Sequence, residues 1–583
     1  MGLVGGARRL ITRSASATLA VAVGAALATT PALAQDPTPT EVADASVQTV
    51  LVSRVGLDGP AANGQSFQPP SISRDGRYIA FFSDSTNLTV DDPPGPNVFR
   101  KDTVTGETVL VSVGTDGAPM PGLYARMSGN GQQICFLGGP GSAFADQSLF
   151  ARNVATGTTR EVPGTAIDVE HGHNDVDFTG HACAISDDGQ TVTYNTIDSR
   201  DPADTNGLPD IYGYSFATGT WALASRADGA GGAVGNGYSR NPTMTPDGRY
   251  VVFWSKASNL APGDTNAFAD VYRRDMVNGT TELVNAVDGT TTTASAEFNE
   301  RNTDGVISDD GRYVAFASNA ELAPGFEYLG WAQVWRRDMV EHRTTLVSRV
   351  SGPQGAMGGN HSQDPDISPD GRYVAFTSFS ENLDPNAITG PDQANVFIRD
   401  VVGARTALVS RATGVFGAVG DGFSFSPAMS SDQGRVAFAS RAENFSPDDT
   451  ALGDAYYRDT VGLLPDLPAD LPGPPEVEGA APAPAAGPAR SRAAKGLSFR
   501  LSEWTRKTKL VVERCTKVSR SKGKTRCKRY ERLTGISAGV AQEGRNVVEI
   551  DKRFKPGQYR LRLKGVDLGA RRGKSSVKFT VRR

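Results

Sequence analysis

The sequence predicts an all-β protein in which a seven-bladed β-propeller is followed by a small β-sandwich. Three observations support this. A short phrase ending in a turn glycine recurs seven times, at spacings between 55 and 63 residues. Each repeat contains four short β-prone segments and almost no helix signal. The last repeat lacks its fourth segment, and a matching segment stands before the first repeat.

The recurring phrase is typical of a β-hairpin. It reads Ser-Arg-Asp-Gly-Arg-Tyr from Ser73 and Ser-Pro-Asp-Gly-Arg-Tyr from Ser368. An Asp-Gly pair between apolar runs is a strong hairpin signal. The seven turn glycines are Gly76, Gly131, Gly189, Gly248, Gly311, Gly371 and Gly434. A nearly constant period of this length indicates stacked supersecondary units.

Each repeat divides into four strands. Residues 365–368 lead into the turn, and the β-branched and aromatic residues 373–378 leave it. A polar loop of about a dozen residues precedes a third strand such as 271–275, and a fourth strand such as 345–349 completes the unit. Four antiparallel strands per repeat describe a propeller blade.

The ends of the repeat array indicate how the propeller closes. After residues 454–459 the chain enters a Leu-Pro-Asp-Leu-Pro run, so the seventh repeat has no fourth strand of its own. Residues 48–54, with the sequence Gln-Thr-Val-Leu-Val-Ser-Arg, match the fourth strands of the other repeats. This N-terminal strand would complete the seventh blade and remove both open sheet edges. The predicted propeller therefore covers residues 48–461.

The phrase of residues 368–376, Ser-Pro-Asp-Gly-Arg-Tyr-Val-Ala-Phe, is followed by a Val-Phe-x-Arg-Asp strand at residues 396–400. Together they resemble the TolB-like, WD-type β-propeller repeats of exported bacterial proteins. The resemblance covers the seven repeats and implies the fold more strongly than a function, because such propellers serve as binding platforms, scaffolds and enzyme partners.

The N-terminus predicts export. Arg8, Arg9 and Arg13 precede an Ala- and Val-rich stretch, and Ala32-Leu33-Ala34 forms a small-residue cleavage pattern. We expect a signal peptide at residues 1–34 and a leader linker at 35–47; a short membrane anchor is the alternative. The mature protein would then be secreted or held in the cell envelope or periplasm, where disulfides form.

The C-terminal part differs sharply in charge. Residues 462–495 form a Pro/Ala-rich linker. Residues 496–583 carry 26 Lys and Arg against 7 Asp and Glu, whereas residues 1–495 carry 34 against 57. Strand-like runs in the basic segment predict a small β-sandwich, and the segment resembles the Ig-like modules of secreted bacterial surface proteins.

Two loops between second and third strands carry an acidic pattern. Asp204, Asn206 and Asp210 recur at the same spacing as Asp264, Asn266 and Asp270, with a looser copy near Asp448 and Asp454. Oxygen ligands at positions 1, 3 and 7 of a tight loop suit Ca²⁺, which is the only cofactor that the sequence suggests. The alternative is that these side chains hydrogen-bond the loop backbone.

Other candidate sites involve histidine and cysteine. His171 and His173 would present both imidazoles on one side of an extended segment and are weaker metal-ligand candidates than the acidic loops. The spacing of Cys515 and Cys527 predicts a disulfide that staples a hairpin. Cys135 and Cys183 lie in neighbouring blades, where a second disulfide or two buried free thiols are the alternatives.

No complete catalytic group is found. Residues 535–539 match the Gly-x-Ser-x-Gly elbow, but no His follows position 361. We therefore expect a secreted, monomeric, non-enzymatic binding or scaffold protein, with a protein or glycan ligand on the propeller face. The alternative is a carbohydrate-active or peptide-cleaving enzyme that uses face-loop carboxylates.

The basic segment predicts a second partner. Five cations lie close together in it: Lys522, Lys524, Arg526, Lys528 and Arg529. This density is sufficient for binding an anionic envelope polymer, and a merely solubilising face is the alternative.

Overall fold

The computed structural model confirms an all-β, seven-bladed propeller, with no helix among the residues that it describes. It describes residues 47–464 apart from 91–92, 140–146, 165–181, 267, 293–304, 324–329, 385–392, 432–433, 449–451 and 462, and the backbone of six strands between 496 and 581. Nothing in this part of the chain forms a helix that could cross a membrane.

Each blade is a four-stranded antiparallel sheet. In blades 1 to 6 the strand that comes first in the chain is innermost, beginning with β2 in blade 1, whereas in blade 7 the N-terminal strand is outermost. Blades 1 and 2 consist of β2 (Ser71–Ile72), β3 (Tyr78–Ser83), β4 (Asn97–Asp102), β5 (Thr108–Leu110) and β6 (Gly122–Met127), β7 (Gln133–Gly138), β8 (Ser148–Asn153), β9 (Thr158–Glu161). Blades 3 and 4 consist of β10 (Cys183–Ile185), β11 (Thr191–Thr196), β12 (Asp210–Ser215), β13 (Thr220–Leu223) and β14 (Ser239–Met244), β15 (Tyr250–Ser255), β16 (Asp270–Asp275), β17 (Thr280–Leu283).

Blades 5 and 6 consist of β18 (Val306–Ile307), β19 (Tyr313–Ser318), β20 (Gln333–Asp338), β21 (Arg343–Leu346) and β22 (Ser362–Ile367), β23 (Tyr373–Ser378), β24 (Asn395–Asp400), β25 (Arg405–Leu408). Blade 7 consists of β26 (Ser424–Met429), β27 (Arg435–Ser440), β28 (Asp454–Asp459) and, as its outermost strand, β1 (Thr49–Leu51).

The N-terminal strand β1 takes the place of a fourth strand in blade 7. It pairs antiparallel with β28, with Thr49 opposite Arg458 and Leu51 opposite Tyr456. The Thr49 hydroxyl donates to the carbonyl of Arg411, 2.5 Å away. Thr344 in the fourth strand of blade 5 makes the corresponding bond to the carbonyl of Ala286. The seventh sheet is therefore completed by residues far apart in the chain, and it has four strands like the other blades.

The repeated phrase builds the same turn in successive blades. In blade 1 the Ser73 hydroxyl donates to Asp75 at 2.6 Å, and the backbone N–H of Tyr78 donates to the Ser73 hydroxyl at 2.9 Å. Arg77 then forms an ion pair with Asp102, 2.7 Å apart, at the end of the third strand. The same pair recurs as Arg249–Asp275, Arg312–Asp338, Arg372–Asp400 and Arg435–Asp459. The phrase thus ties the hairpin to the strand beyond it.

Apolar side chains fill the spaces between neighbouring blades. Between blades 6 and 7, for example, buried Val396 and Ile398 pack in one cluster with Phe438 and Tyr456. Such clusters follow from the continuous apolar runs of the second and third strands, which are buried on both faces.

Buried cations hold the connections between blades. Arg458, which is fully buried, donates to the carbonyls of Arg411, Ala412 and Gly414 at 2.9, 2.7 and 2.5 Å. These carbonyls lie in the connection from blade 6 to blade 7. Arg274, Arg337 and Arg399 cap the equivalent connections. Each guanidinium thus supplies hydrogen bonds to the carbonyls of a blade connection, and hydrogen bonds from a charged donor are stronger than those between neutral groups.

A disulfide joins Cys135 in blade 2 to Cys183 in blade 3, 48 residues later in the chain. Loop-closure entropy predicts that such a crosslink stabilises the protein by about 4 kcal/mol. We expect the Cys135→Ser/Cys183→Ser variant to unfold at a lower denaturant concentration than the oxidised protein. Guanidinium unfolding of both, with and without reductant, checks this; equal midpoints in all four samples would show that the bond does not stabilise the fold.

Six strands are described in the C-terminal segment, and they form two sheets. The strands of the larger sheet have the order β31 (Lys524–Arg532), β30 (Lys509–Ser521), β33 (Gly557–Val566), β34 (Arg572–Val581). The smaller sheet pairs β29 (Gly496–Leu501) with β32 (Gly544–Glu549). The β30–β31 register sets Cys515 opposite Tyr530 and Cys527 opposite Val518. Their side chains lie outside the described part of the structure, so the Cys515–Cys527 disulfide stays a prediction.

Candidate binding site at the loop face

The antiparallel blades give the propeller two different faces. The turns between first and second strands and between third and fourth strands lie on one face, here called the turn face. The loops between second and third strands and the starts of the innermost strands lie on the other, the loop face. The innermost strands surround a central channel that runs between these faces.

Strained residues surround the loop-face end of the channel. Four innermost strands, β6, β14, β22 and β26, each contain a register shift. At the third position of these strands the backbone φ is 52° for Tyr124, 56° for Asn241, 48° for Asp364 and 49° for Ser426. A positive φ in a residue other than glycine costs about 1–3 kcal/mol and is concentrated at functional sites. Bulges of this kind often redirect a side chain beside a binding site.

Four phenylalanines form a continuous group beside this mouth, here called the aromatic arc: Phe379, Phe423, Phe425 and Phe67. Successive ring centroids are 5.8, 5.3 and 4.5 Å apart, and the rings belong to blades 6, 7 and 1. Phe425 is buried, while the other three are partly exposed. The guanidinium of Arg441 lies 4.2 Å from the ring centroid of Phe67. The arc offers a rigid apolar surface at the rim of a polar channel.

A second aromatic pair lies on blades 5 and 6. Trp331 is 42% exposed, and its ring centroid is 4.7 Å from that of His361. The backbone N–H of Ala332 donates to Nδ1 of His361 at 3.2 Å. Burial lowers the pKa of His361, so this imidazole is neutral at pH 7.

Where the innermost strands end, toward the turn face, the channel contains a cavity of about 190 Å³. Its polar lining includes Ser71, Arg126, Thr243 and Asp366, separated by small and apolar residues such as Ala184. The backbone N–H of Met429 donates to the Asp366 carboxylate at 2.5 Å. Burial raises the pKa of Asp366 to about 6, and the nearby charge of Arg126 opposes this shift.

An ion-pair cluster lies at the turn-face end of the channel. Arg74 of blade 1 pairs with Asp187 of blade 3 at 2.8 Å and with Asp309 of blade 5 at 2.5 Å. We call these three residues the Arg74 clasp. Burial raises the pKa of Asp309, opposed by Arg74. Most contacts between blades join neighbours in the ring, whereas the clasp joins blades that are not adjacent.

The structure gives the blade 3 loop a dense hydrogen-bond network. The Tyr212 hydroxyl donates to Asp204 at 2.5 Å, and the Asn206 amide donates to Asp210 at 2.8 Å. The Ser225 hydroxyl, just after the fourth strand, donates to the other oxygen of Asp210 at 2.6 Å. Burial raises the pKa of Asp210 to about 6. The loop side chains are therefore already engaged by protein donors.

The blade 4 loop has a related arrangement. The Tyr272 hydroxyl donates to Asp264 at 2.7 Å, the backbone N–H of Phe268 donates to Asn266 at 2.7 Å, and the Asn285 amide donates to Asp270 at 2.6 Å. Burial raises the pKa of Asp270 to about 7. In blades 5, 6 and 7 Gln333, Asn395 and Asp454 accept the same bond from a serine just after the fourth strand. Position 7 of the pattern thus has a structural role in blades 3 to 7.

Calcium binding at these loops stays a prediction. The described residues contain no group of three or more His, Cys, Asp or Glu side chains arranged to hold a metal ion. If the loops bind Ca²⁺, a hundredfold excess over the dissociation constant should stabilise the protein by about 2.7 kcal/mol per site. Asp264→Ala should remove part of that gain. Identical melting curves in chelator and in millimolar Ca²⁺ would leave only the hydrogen-bonding role.

Several sequence-predicted residues cannot be placed. His171, His173 and Lys522 lie outside the described residues, as do the signal peptide, residues 35–46 and residues 465–495. Four of the basic cluster lie on strand β31, where the backbone alone is described: Lys524, Arg526, Lys528 and Arg529.

The aromatic arc and the strained mouth were missed by sequence reasoning. A signal was present, because a proline follows Asn241, Asp364 and Ser426 inside an innermost strand. Proline within a strand marks a bulge or an edge. Aromatic residues also recur just before the first strand, as at Tyr238 and Phe423.

No protein-family profile matches this chain, and no curated protein matches it. Among solved structures it is similar to TolB from Acinetobacter baumannii, with 15% identity over 60% of this chain and 65% of that one and a TM-score of 0.32. An oligogalacturonate lyase from Vibrio parahaemolyticus is 12% identical over 71% of this chain and 95% of that one, with a TM-score of 0.42. A prolyl endopeptidase is 11% identical over 77% and 54%, with a TM-score of 0.40. At such identities the likeness bears on the fold alone.

Proposed function

We propose that this protein is an extracytoplasmic, non-enzymatic binding module that takes a glycan or protein ligand of the cell envelope at the loop-face mouth of its propeller. The observation that carries the proposal is the aromatic arc beside four strained innermost strands. Partly exposed aromatic side chains next to convergent polar groups are the usual composition of a ligand site. Strain at the same position of four blades is a cost that binding would explain.

Removal of the arc tests the proposal. We expect the full-length Phe379→Ala/Phe423→Ala variant to lose binding to envelope preparations from the producing cells. The matched control is Val277→Ala/Val340→Ala, which changes two exposed turn-face residues, 74% and 62% exposed. Equal sedimentation of all three proteins with the envelope, at equal melting temperatures, would refute a loop-face ligand site.

An enzyme is the second candidate, and the carboxyl groups in the channel favour it. Asp366, whose pKa is raised by burial, could act as a general acid near neutral pH. Asp309 lies at the turn-face end of the same cavity. Chain-shortening of an envelope glycan or peptide by the wild-type protein, lost in Asp366→Asn, would establish this activity in place of the binding role.

The basic C-terminal segment supports a further partner, an anionic envelope polymer. The β30–β31 register sets Lys517 opposite Arg529 and Ser521 opposite Lys524, so cationic residues follow both strands of one hairpin. Attraction of this kind is screened over about 8 Å at physiological ionic strength. Binding of the full chain to lipoteichoic acid should therefore weaken with salt. Gln at positions 522, 524, 526, 528 and 529 should flatten that dependence; an unchanged salt response would assign the charge to solubility.

A further inference from the structure

The channel is not an open pore, because ion pairs between blades lie at its turn-face end. The Arg74 side chain reaches two other blades, with ion pairs of 2.8 Å to Asp187 and 2.5 Å to Asp309. The turn backbones are also joined around this end. The N–H of Arg74 donates to the carbonyl of Gly129 at 2.8 Å, and the N–H of Ser431 donates to the carbonyl of Arg74 at 2.7 Å. A ligand that enters from the loop face therefore meets a barrier at the clasp.

The cavity above that barrier is small. Its volume of about 190 Å³ equals roughly six water molecules at ~30 Å³ each. This space suits a single sugar ring or one amino-acid residue, and a folded protein loop would need more. Whatever polymer binds at the mouth can therefore send only a terminal unit into the channel.

The polar lining of the cavity indicates the chemistry of that unit. Arg126 can only donate hydrogen bonds and ionised Asp366 can only accept them. Ser71 can do both, whereas Thr243 can accept, because its hydroxyl donates to the carbonyl of Gly305 at 2.7 Å. These residues lie on four different blades, with Ala184 and other small or apolar residues between them. A sugar ring bears hydroxyl groups on several sides, and each hydroxyl can both donate and accept a hydrogen bond. Such a ring therefore matches a lining whose donors and acceptors come from several directions.

Charge argues against a strongly anionic ligand. Asp187, Asp309 and Asp366 face the channel or its closed end, against the two guanidiniums of Arg74 and Arg126. An anionic group in the cavity would approach the carboxyls of Asp309 and Asp366, both of which are partly desolvated. An uncharged saccharide has no such penalty, and the C–H faces of rings further along its chain can pack on the partly exposed rings of the aromatic arc.

We propose that the channel is a dead-end socket for the terminal unit of a neutral saccharide chain, with the aromatic arc packing on the units that follow. This inference rests on the proposed loop-face binding function and names its ligand. The protein would recognise chain ends and ignore chain interiors, because the clasp prevents a chain from passing through.

The experiment uses the full-length protein and a protease-treated glycan fraction from the envelope of the producing cells. Mild acid hydrolysis of part of this fraction shortens its chains at constant sugar mass. If ends are recognised, the protein bound at saturation should rise in proportion to the number of chain ends. Binding that stays constant or falls on hydrolysis would overturn end recognition. Loss of binding on protease treatment would identify a protein ligand, overturn the saccharide, and leave the proposed function intact.

Variants separate the socket from the arc. Asp366→Asn keeps an acceptor for the Met429 N–H and removes a buried carboxyl, so it should fold at least as well as the wild type. It should weaken binding of the shortened chains about tenfold, which corresponds to about 1.4 kcal/mol. Asp58→Asn, an exposed change away from the channel, is the control. Equal affinities of wild type and Asp366→Asn for the shortened chains would contradict the socket. Absence of any binding by the wild type to the untreated envelope would instead refute the proposed function.

Discussion

Deletion of residues 48–54 is expected to destabilise the propeller more than any single substitution. The deletion removes strand β1 and with it the buried side chains of Leu51 and Val52, which are 3% and 1% exposed. Truncation of one buried leucine costs about 2–5 kcal/mol. The loss of the β28 pairing adds to this and leaves β28 as an open edge that can pair with another chain. We expect a large fall in melting temperature and aggregation, measured by calorimetry and light scattering.

The control for this deletion is the removal of residues 39–45, which shortens the leader by the same number of residues and keeps β1. It should melt like the full chain. A 48–54 deletion that remains monomeric and equally stable would contradict closure of the ring through the N-terminal strand.

Substitution of Arg458 by Met is expected to have the second largest effect. The side chain is fully buried and donates to three carbonyls of the connection between blades 6 and 7. It also donates to the hydroxyl of Thr49, at 2.5 Å, and so helps to hold β1. Methionine has a similar length but no donor. Hydrogen bonds to charged groups contribute about 1.5–3 kcal/mol each, and the substitution removes four of them, so we expect a loss of several kcal/mol in denaturant unfolding.

Arg343→Met is the matched control, because the Arg343 side chain is 68% exposed and pairs with Asp288 at the surface. Exposed ion pairs contribute about 0–1 kcal/mol. If Arg458→Met and Arg343→Met shift the unfolding midpoint by the same amount, the buried arginines do not hold the blade connections.

The fold could be predicted because each repeat carries its own local signals. The Ser73–Asp75 turn chemistry and the apolar run that follows it depend on residues close together in sequence. The missing strand after residues 454–459 and its copy at 48–54 are equally visible in the sequence. Charge composition also separates the basic C-terminal segment without any structure.

The site could not be predicted in the same way. The aromatic arc joins Phe379 to Phe67, which are on different blades and hundreds of residues apart, and no local pattern links them. Arg74 pairs with Asp187 and Asp309 only because the ring brings blades 1, 3 and 5 around one channel. The acidic loops stand out in the sequence for a reason that does not depend on a ligand. Asp210 and Asp270 accept hydrogen bonds from residues just after the fourth strands of their own blades.

The most direct test of the central claim is hydrogen–deuterium exchange of the full chain with and without its envelope glycan fraction. The claim predicts slower exchange at the starts of the innermost strands that carry the strained residues, around Asn241, Asp364 and Ser426, and in the segment around Phe379. Exchange at the turn-face positions Val277 and Val340 should not change. Protection confined to the turn face or to residues 496–583, with none at the loop-face mouth, would contradict the claim.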